Sequence, residues 1–179
     1  MPSEGESPRL RCTAVAAFER RLVELLADAK REYRELTGRP LGVTGEVAEY
    51  EVVRLLGYEL APVRQSGYDC IRSSADGRCE RLQIKGRCLL PGAKRGQRVG
   101  RIDLDKEWDV VLLVLLDENF DATAIYEADR VAVTAALTAP GSRSRNERGA
   151  LAVSGFKAIS RRSPAYAVCV DYIPSPPSG

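Results

Sequence analysis

An uninterrupted apolar run from Val110 to Leu116 is the sequence feature that most limits the possible folds. The run is too short to cross a bilayer, which takes about 20 apolar residues. A strand that is apolar at every position is buried on both faces, whereas a half-exposed strand alternates apolar and polar residues. The run therefore predicts the central strand of a sheet inside a mixed α/β domain.

The rest of the chain divides into segments with helical and with extended periodicity. Apolar residues that recur three and four positions apart predict helices, and alternating ones predict strands. Asp76-Gly77 predicts a hairpin turn between two strands, and Thr44 is the predicted N-cap of the second helix. The predicted helices span 14–36, 44–56 and 129–137, and the predicted strands span 58–63, 68–72, 79–85, 108–116, 124–128 and 165–172.

The length of 179 residues suits one domain with a core of its own. We expect a flexible segment at 1–13, a single domain over 14–172 and a disordered Pro/Ser tail at 173–179. The apolar stripe of the first helix packs either on that core or on a second copy of the chain, so a homodimer stays open. No apolar segment marks a membrane span or a signal peptide, and we expect a cytoplasmic protein with no membrane partner.

The chain contains no histidine, which excludes Ser-His-Asp triads, Cys-His dyads and most catalytic zinc sites. Its five cysteines are odd in number and form no C-x-x-C motif, so neither a zinc ribbon nor a disulfide scaffold is indicated. Catalysis in such a chain depends on carboxylates, lysine, tyrosine, cysteine or a hard metal ion.

The stretch from Cys79 to Arg87 carries the residues that point to chemistry. Gln83 and Lys85 lie two positions apart in a predicted strand, so they project from the same face. Asp69 precedes this strand in the chain, and Glu46 and Glu49 lie in the predicted second helix. Glu49 has two interpretations. It is either a metal ligand or a base, or it is a structural carboxylate that interacts with the helix N-terminus or with an arginine. Lys85 and Asp69 also have a structural interpretation. Lys85 would then be a lysine at a strand end with its charge in solvent, and Asp69 would form an ion pair with an arginine.

A helix carboxylate, a strand aspartate and Gln-x-Lys, in this order, resemble the PD-(D/E)xK (restriction-endonuclease-like) nuclease superfamily in a Q-x-K variant. The layout is similar to the Holliday-junction-resolvase and Mrr-like branches, and the whole sequence looks like an uncharacterised bacterial family placed near such nucleases. The matching pieces are Gly45-Glu46, Leu56-Gly57-Tyr58, Gly67-Tyr68-Asp69 and Gln83-Ile84-Lys85-Gly86-Arg87.

The resemblance implies an α/β fold with an αβββαβ core around a central mixed sheet, and a hydrolase: a Mg²⁺- or Mn²⁺-dependent DNA endonuclease of restriction, repair or defence. It implies that Asp69 and Glu46 are metal ligands, with Glu49 a further one, and that Lys85 is the catalytic lysine. Gln83 stands at the metal-binding and catalytic position where the family usually has a second acid. Two alternatives stay open: a catalytically inactive nuclease fold that binds DNA, and a protein-interaction module that uses the first helix.

Basic residues without intervening acidic ones follow the proposed site along the chain. Such a segment can contact the phosphates of a nucleic acid, and its binding is then salt-dependent; a solvated loop is the alternative. The candidate nucleic-acid-binding residues are Arg87, Lys94, Arg95, Arg98 and Arg101. Arg143, Arg145 and Arg148 have the same two interpretations.

Overall fold

A computed structural model describes residues 42–62, 65–89, 92, 96–141 and 149–167, together with scattered positions between 21 and 36. Those scattered positions are helical, as the periodicity predicts. The chain divides into two compact units, Met1–Gly42 and Val43–Gly179, and the second is described below. The predicted flexible segment at 1–13 and the predicted disordered tail at 173–179 lie outside the described residues.

The second unit is a mixed α/β structure built on an open sheet of six strands in the order β1 to β6. Strands β3 and β4 are parallel, and every other neighbouring pair is antiparallel. The elements in chain order are α1 (Thr44–Leu56), β1 (Glu59–Leu60), β2 (Cys70–Ser73), β3 (Cys79–Cys88), β4 (Val110–Leu116), β5 (Ala122–Asp129), α2 (Arg130–Thr138), α3 (Val153–Ile159) and β6 (Arg161–Arg162).

Strand β4 lies inside the sheet, and all of its residues are buried, as the apolar run predicts. On one face Val111, Leu113 and Leu115 belong to a core that includes buried residues of both α2 and α3. On the other face α1 packs on β3 and β4, with Ala48 and Val52 fully buried. The sheet is therefore covered on both sides, which accounts for the absence of alternation in β4.

Local signals predicted several features well. Helix α1 has the predicted bounds, and the hairpin turn between β2 and β3 uses Gly77 at a φ of 82°. Asp129 caps α2, because its side chain accepts a hydrogen bond from the backbone N–H of Ala132 at 2.8 Å. The prediction that Thr44 is the N-cap of α1 is wrong: Val43 holds that position without a side-chain bond, and Thr44 is the first helical residue.

Other element boundaries differ from the predicted ones because they depend on contacts with segments far away in the chain. Strand β3 runs to Cys88, beyond the predicted end, since it pairs in parallel with β4 up to Leu116. The predicted strand at 165–172 is wrong over 165–167, where a helical turn begins at Pro164, a residue favoured at the first helical position. The described part of the connection between β3 and β4 contains no helix. The structure thus supports a mixed α/β fold without establishing a restriction-endonuclease-like core.

Candidate active site at a fork in the sheet

The candidate site lies where β2 and β3 stop pairing, a point that we call the fork. Strand β2 pairs with β3 only as far as Leu82, while β3 continues beside β4 to Cys88. Within the described ranges, no strand pairs with the exposed edge of β3 beyond Leu82. The Asp69 carboxylate takes the place of a strand partner there, because its Oδ2 accepts a hydrogen bond from the Ile84 N–H at 2.6 Å. The fork thereby fixes Asp69 beside the strand that carries Gln-x-Lys.

The first turns of α1 approach this edge of β3 closely at Gly86. A Cβ atom at Gly86 would overlap the backbone oxygen of Thr44 and would lie 2.7 Å from the Cβ of Ala48. Only glycine allows this approach. The contact sets the first turns of α1, which carry Glu46 and Glu49, against the fork. Glu46 is exposed, whereas Glu49 is half-buried.

The electrostatics of Glu49 indicate that several charges converge at the fork. Burial raises the pKa of Glu49, and the negative charges of Asp69 and Glu46 raise it further, while Lys85 opposes the shift. Like charges that lie close together disfavour ionisation in this way. The charges of Glu46, Asp69 and Lys85, three residues that the sequence analysis singled out, thus act on Glu49.

Lys85 has the complementary environment. Burial lowers its pKa, the charge of Asp69 opposes that shift, Arg87 adds to it, and Glu49 opposes it. Within the described part of the chain, its Nζ makes no hydrogen bond or ion pair. A lysine with a lowered pKa and an uncommitted ammonium group is suited both to proton transfer and to contact with an anion.

Gln83 and Lys85 point away from the face on which α1 packs, because Gly86 and Ile84 point toward that helix. Helix α1 and the Lys85 side chain therefore lie on opposite faces of β3, and the charge of Glu49 still acts on Lys85. Gln83 donates from Nε2 to the backbone oxygen of Gly67 at 3.2 Å, which ties it to the segment before Asp69. Its Oε1 is buried, and among the described residues it has no hydrogen-bond partner.

The oxygen atoms at the fork suit a hard divalent cation that keeps several waters, rather than a metal ion that three acidic side chains hold. Among the described residues, no three Asp, Glu or Cys side chains form a group able to hold a metal ion by themselves. Mg²⁺, however, keeps several waters and needs only one or two carboxylates. Asp69 and Glu49 are the candidate carboxylate ligands, the exposed Glu46 is a further one, and the buried Oε1 of Gln83 is the candidate neutral ligand.

A scan against protein-family models gives no match for this chain, and a search of curated proteins finds no significantly similar sequence. No helix in the described part of the chain combines the length and the apolar character that a membrane span requires. The case for a function therefore depends on the geometry and charges of the fork.

Cys70 adjoins the site but is not suited to act as a nucleophile. It is fully buried, and burial raises the pKa of its thiol to about 12, with the charges of Asp69 and Glu49 raising it further. A thiol in such surroundings stays protonated, and the thiolate is the reactive form. Among the groups at the fork, the carboxylates, Gln83 and Lys85 thus remain as the candidates for chemistry.

The predicted nucleic-acid-binding residues are placed unequally. Arg87 is half-buried beside Lys85. Arg98 is exposed, donates to the backbone oxygen of Ala150 at 3.1 Å, and forms a β-bridge with Ala152. Arg101 is exposed and lies 3.5 Å from an Asp103 carboxylate oxygen. Lys94, Arg95 and the arginines at 143, 145 and 148 lie outside the described residues.

A second group of charged side chains, which we call the ion-pair cluster, was missed by sequence reasoning. It consists of Arg72, Glu80, Glu127 and Arg161. Arg72 pairs with Glu80 at 2.7 Å and with Glu127 at 3.0 Å, and Arg161 pairs with Glu127 at 2.7 Å. No local signal links residues so far apart in the chain. Each charge has a partner, so the cluster joins β2, β3, β5 and β6 through ion pairs.

Proposed function

We propose that this chain is a metal-dependent phosphodiesterase that cuts DNA, with α1 and the first strands forming a restriction-endonuclease-like core. The observation that carries the proposal is the hydrogen bond that holds the Asp69 carboxylate against the strand of Gln83 and Lys85, with the charge of Glu49 near enough to act on Lys85. Carboxylates, a neutral oxygen and a lysine are the groups that phosphodiester hydrolysis with a hard cation requires.

The topology supports this core up to one point. Helix α1, then β1, β2 and β3, then β4 parallel to β3 follow the expected order. The expected helix between β3 and β4 is missing from the described residues, and 97–102 instead runs beside 149–153 through backbone bonds. This segment lies against Lys85 and Arg87 at Gly100, where the expected helix would otherwise follow the site.

Each residue at the fork has a role in the proposal. Asp69, Glu49 and Gln83 would hold Mg²⁺ or Mn²⁺, with Glu46 as an outer carboxylate. When bound, the cation polarises the phosphate and lowers the pKa of a coordinated water. Lys85 places a positive charge where negative charge develops during attack, and its lowered pKa allows its Nζ to exchange a proton with water.

DNA is the proposed substrate because Arg87, Arg98 and Arg101 follow Lys85 without an intervening acidic residue. Arginine contacts to phosphates provide affinity without sequence preference, and that affinity falls with rising salt. These arginines therefore support a nucleic acid as the class of substrate, and they do not indicate a preferred base sequence.

The test uses supercoiled plasmid, junction and single-stranded DNA with Mg²⁺ and with Mn²⁺. Lys85→Ala and Asp69→Asn are expected to reduce nicking by about 10²–10⁴-fold, because each removes a charge from the reacting centre. Asp69→Asn keeps an oxygen for the Ile84 N–H, so the fork stays intact. Lys106→Ala and Asp76→Asn, at exposed positions, are matched controls that should cut normally.

Two results would contradict the proposal. If the wild-type protein leaves all three substrates intact with both metals, it is not a nuclease of this kind. If Lys85→Ala cuts DNA as fast as the wild type, the fork is not the catalytic site. Salt-dependent DNA binding without cleavage or a metal requirement would instead favour the inactive DNA-binding alternative.

A further inference from the structure

Arg87 is a half-buried cation for which the described residues offer no carboxylate. Its Nε donates to the backbone oxygen of Arg98, and its Nη1 donates to that of Gly86 at 2.6 Å. No ion pair joins it to any described acid, and burial lowers its pKa. Two of its five N–H groups are used by carbonyls, which leaves others for a ligand.

Two other half-buried arginines use their guanidinium groups more fully. Arg72 contacts the carboxylates of Glu80 and Glu127. Arg130 donates to three backbone oxygens, those of Leu104, Lys106 and Trp108, and its guanidinium also lies 4.6 Å from the centre of the Trp108 ring. A partly buried charge without an opposite charge costs free energy, and backbone oxygens offset that cost only in part. The environment of Arg87 is therefore one that an anion would complete.

The backbone at Gly100 fixes the position of this guanidinium. Gly100 has a φ of 96°, and a Cβ atom there would lie 2.7 Å from Nη2 of Arg87 and 4.0 Å from Cδ of Lys85. The Arg98 oxygen that accepts from Arg87 belongs to the same segment. A rigid guanidinium held beside a lysine on one face of a strand is a preorganised phosphate contact.

We infer that Arg87 binds a non-bridging oxygen of a DNA phosphate next to Lys85, and that Gly100 holds its guanidinium in place for this contact. The inference rests on the proposed function and names the anion that this part of the site recognises: a phosphodiester of the DNA backbone. Arg87 is a substrate-binding residue in this assignment, and Gly100 is a positioning residue.

The test measures binding of a short DNA duplex in EDTA, where cleavage does not interfere, over a range of salt concentrations. Arg87→Met is expected to weaken binding about tenfold and to reduce the slope of log K against log salt by about 0.9, the value for one lost phosphate contact. Gly100→Ala should have the same effect although it removes no charge, because its methyl group displaces Arg87.

Gly96→Ala is the matched control for backbone strain. Gly96 has a φ of 94° in the same segment, yet a Cβ atom there would meet nothing within 4 Å. It should bind DNA like the wild type, as should Arg78→Ala, which changes an exposed arginine paired with Asp76 at 3.2 Å.

The outcomes separate this inference from the proposed function. An unchanged salt slope in Arg87→Met, with cleavage retained, overturns the role of Arg87 and leaves the nuclease proposal standing. An equal loss of binding in Gly96→Ala and Gly100→Ala also overturns it, since backbone strain alone would then explain the effect. A reduced slope in a protein that binds but never cuts DNA supports the Arg87 contact and contradicts only the nuclease proposal.

Discussion

The fork and the ion-pair cluster are two groups of charged residues on one sheet that balance their charges in opposite ways. In the ion-pair cluster, Arg72 and Arg161 both contact the side chain of Glu127, which is only 3% exposed. At the fork, the described residues Glu49, Asp69 and Lys85 form no ion pair within 4 Å, although the charge of Asp69 acts on the pKa values of both Glu49 and Lys85.

The difference in charge pairing is informative because oppositely charged side chains lie near each other both at the fork and in the ion-pair cluster. Opposite charges lie near each other at the fork, yet within the described ranges Lys85 makes no ion pair and the buried Oε1 of Gln83 meets no donor. Groups left unsatisfied in this way destabilise the folded state unless a ligand completes them. The ion-pair cluster is thus expected to provide stability, and the fork to give up stability for binding.

Breaking the ion-pair cluster should give the largest change in stability. Glu127→Gln leaves Arg161 without a carboxylate and removes one of the two acids of Arg72, and we expect a loss of about 3 kcal/mol in the free energy of unfolding. Urea denaturation measures this loss, and DNA binding of the folded variant should be unchanged. Glu80→Gln is the control: its side chain is 39% exposed and makes one pair, so we expect a loss of about 1 kcal/mol or less. Equal losses in the two variants would contradict the contrast.

Adding a charge at the fork should have an intermediate effect that depends on metal. Gln83→Glu replaces a buried amide, loses the bond to Gly67 and brings a third negative charge near Asp69, so we expect a loss of about 1–2 kcal/mol without metal. Mg²⁺ should recover this loss, because the added carboxylate strengthens a cation site. Thermal unfolding in EDTA and in Mg²⁺ compares the variant with Gln65→Glu, a change at an exposed loop position. A Gln83→Glu variant that Mg²⁺ does not stabilise more than wild type would argue against a metal at the fork.

Much of the fold could be predicted because local rules determine it. The apolar run places β4 inside the sheet, and Asp129 follows the ordinary preference for acidic N-caps. The end of β3 could not be predicted, because the parallel register with β4 extends it. The two acids of Arg72 show the same limit: Glu80 lies across the hairpin, whereas Glu127 is 55 residues away in the chain.

At the candidate site, the sequence predicted which side chains share a face of β3 but not how the helix carboxylates are buried. Alternation along β3 correctly puts Gln83 and Lys85 on one face, and chain order brings Asp69 beside them. The helical period, however, cannot rank Glu46 and Glu49, which lie three residues apart. In the structure Glu49 is the half-buried carboxylate and Glu46 the exposed one. That ranking comes from the close approach of α1 at Gly86, a tertiary contact.

Neutralising Glu49 should give the smallest effect, with the opposite sign to Glu127→Gln. Its pKa in the folded state is raised above the ordinary 4.5, so the folded protein holds this proton more tightly than the unfolded chain does. Stability from this group is therefore complete below pH 4.5 and is lost as the pH rises through the raised pKa. Glu49→Gln removes that loss, and we expect a gain of about 0.5–1 kcal/mol at neutral pH without metal.

The pH dependence of this gain distinguishes the mechanism from a change in packing. The gain should disappear below pH 4.5, where wild-type Glu49 is already protonated, whereas improved packing would persist at every pH.

Metal binding should show the reverse trend, because only the ionised carboxylate is a ligand. The affinity of the wild type for Mg²⁺ should fall as the pH drops through the raised pKa of Glu49, and Glu49→Gln should bind Mg²⁺ weakly at every pH. Glu46→Gln, at the exposed position, should change stability less than Glu49→Gln. Urea denaturation and calorimetric metal titration at several pH values measure both trends, and a Glu49→Gln variant that is destabilised at neutral pH would place Glu49 with the paired, stabilising charges instead.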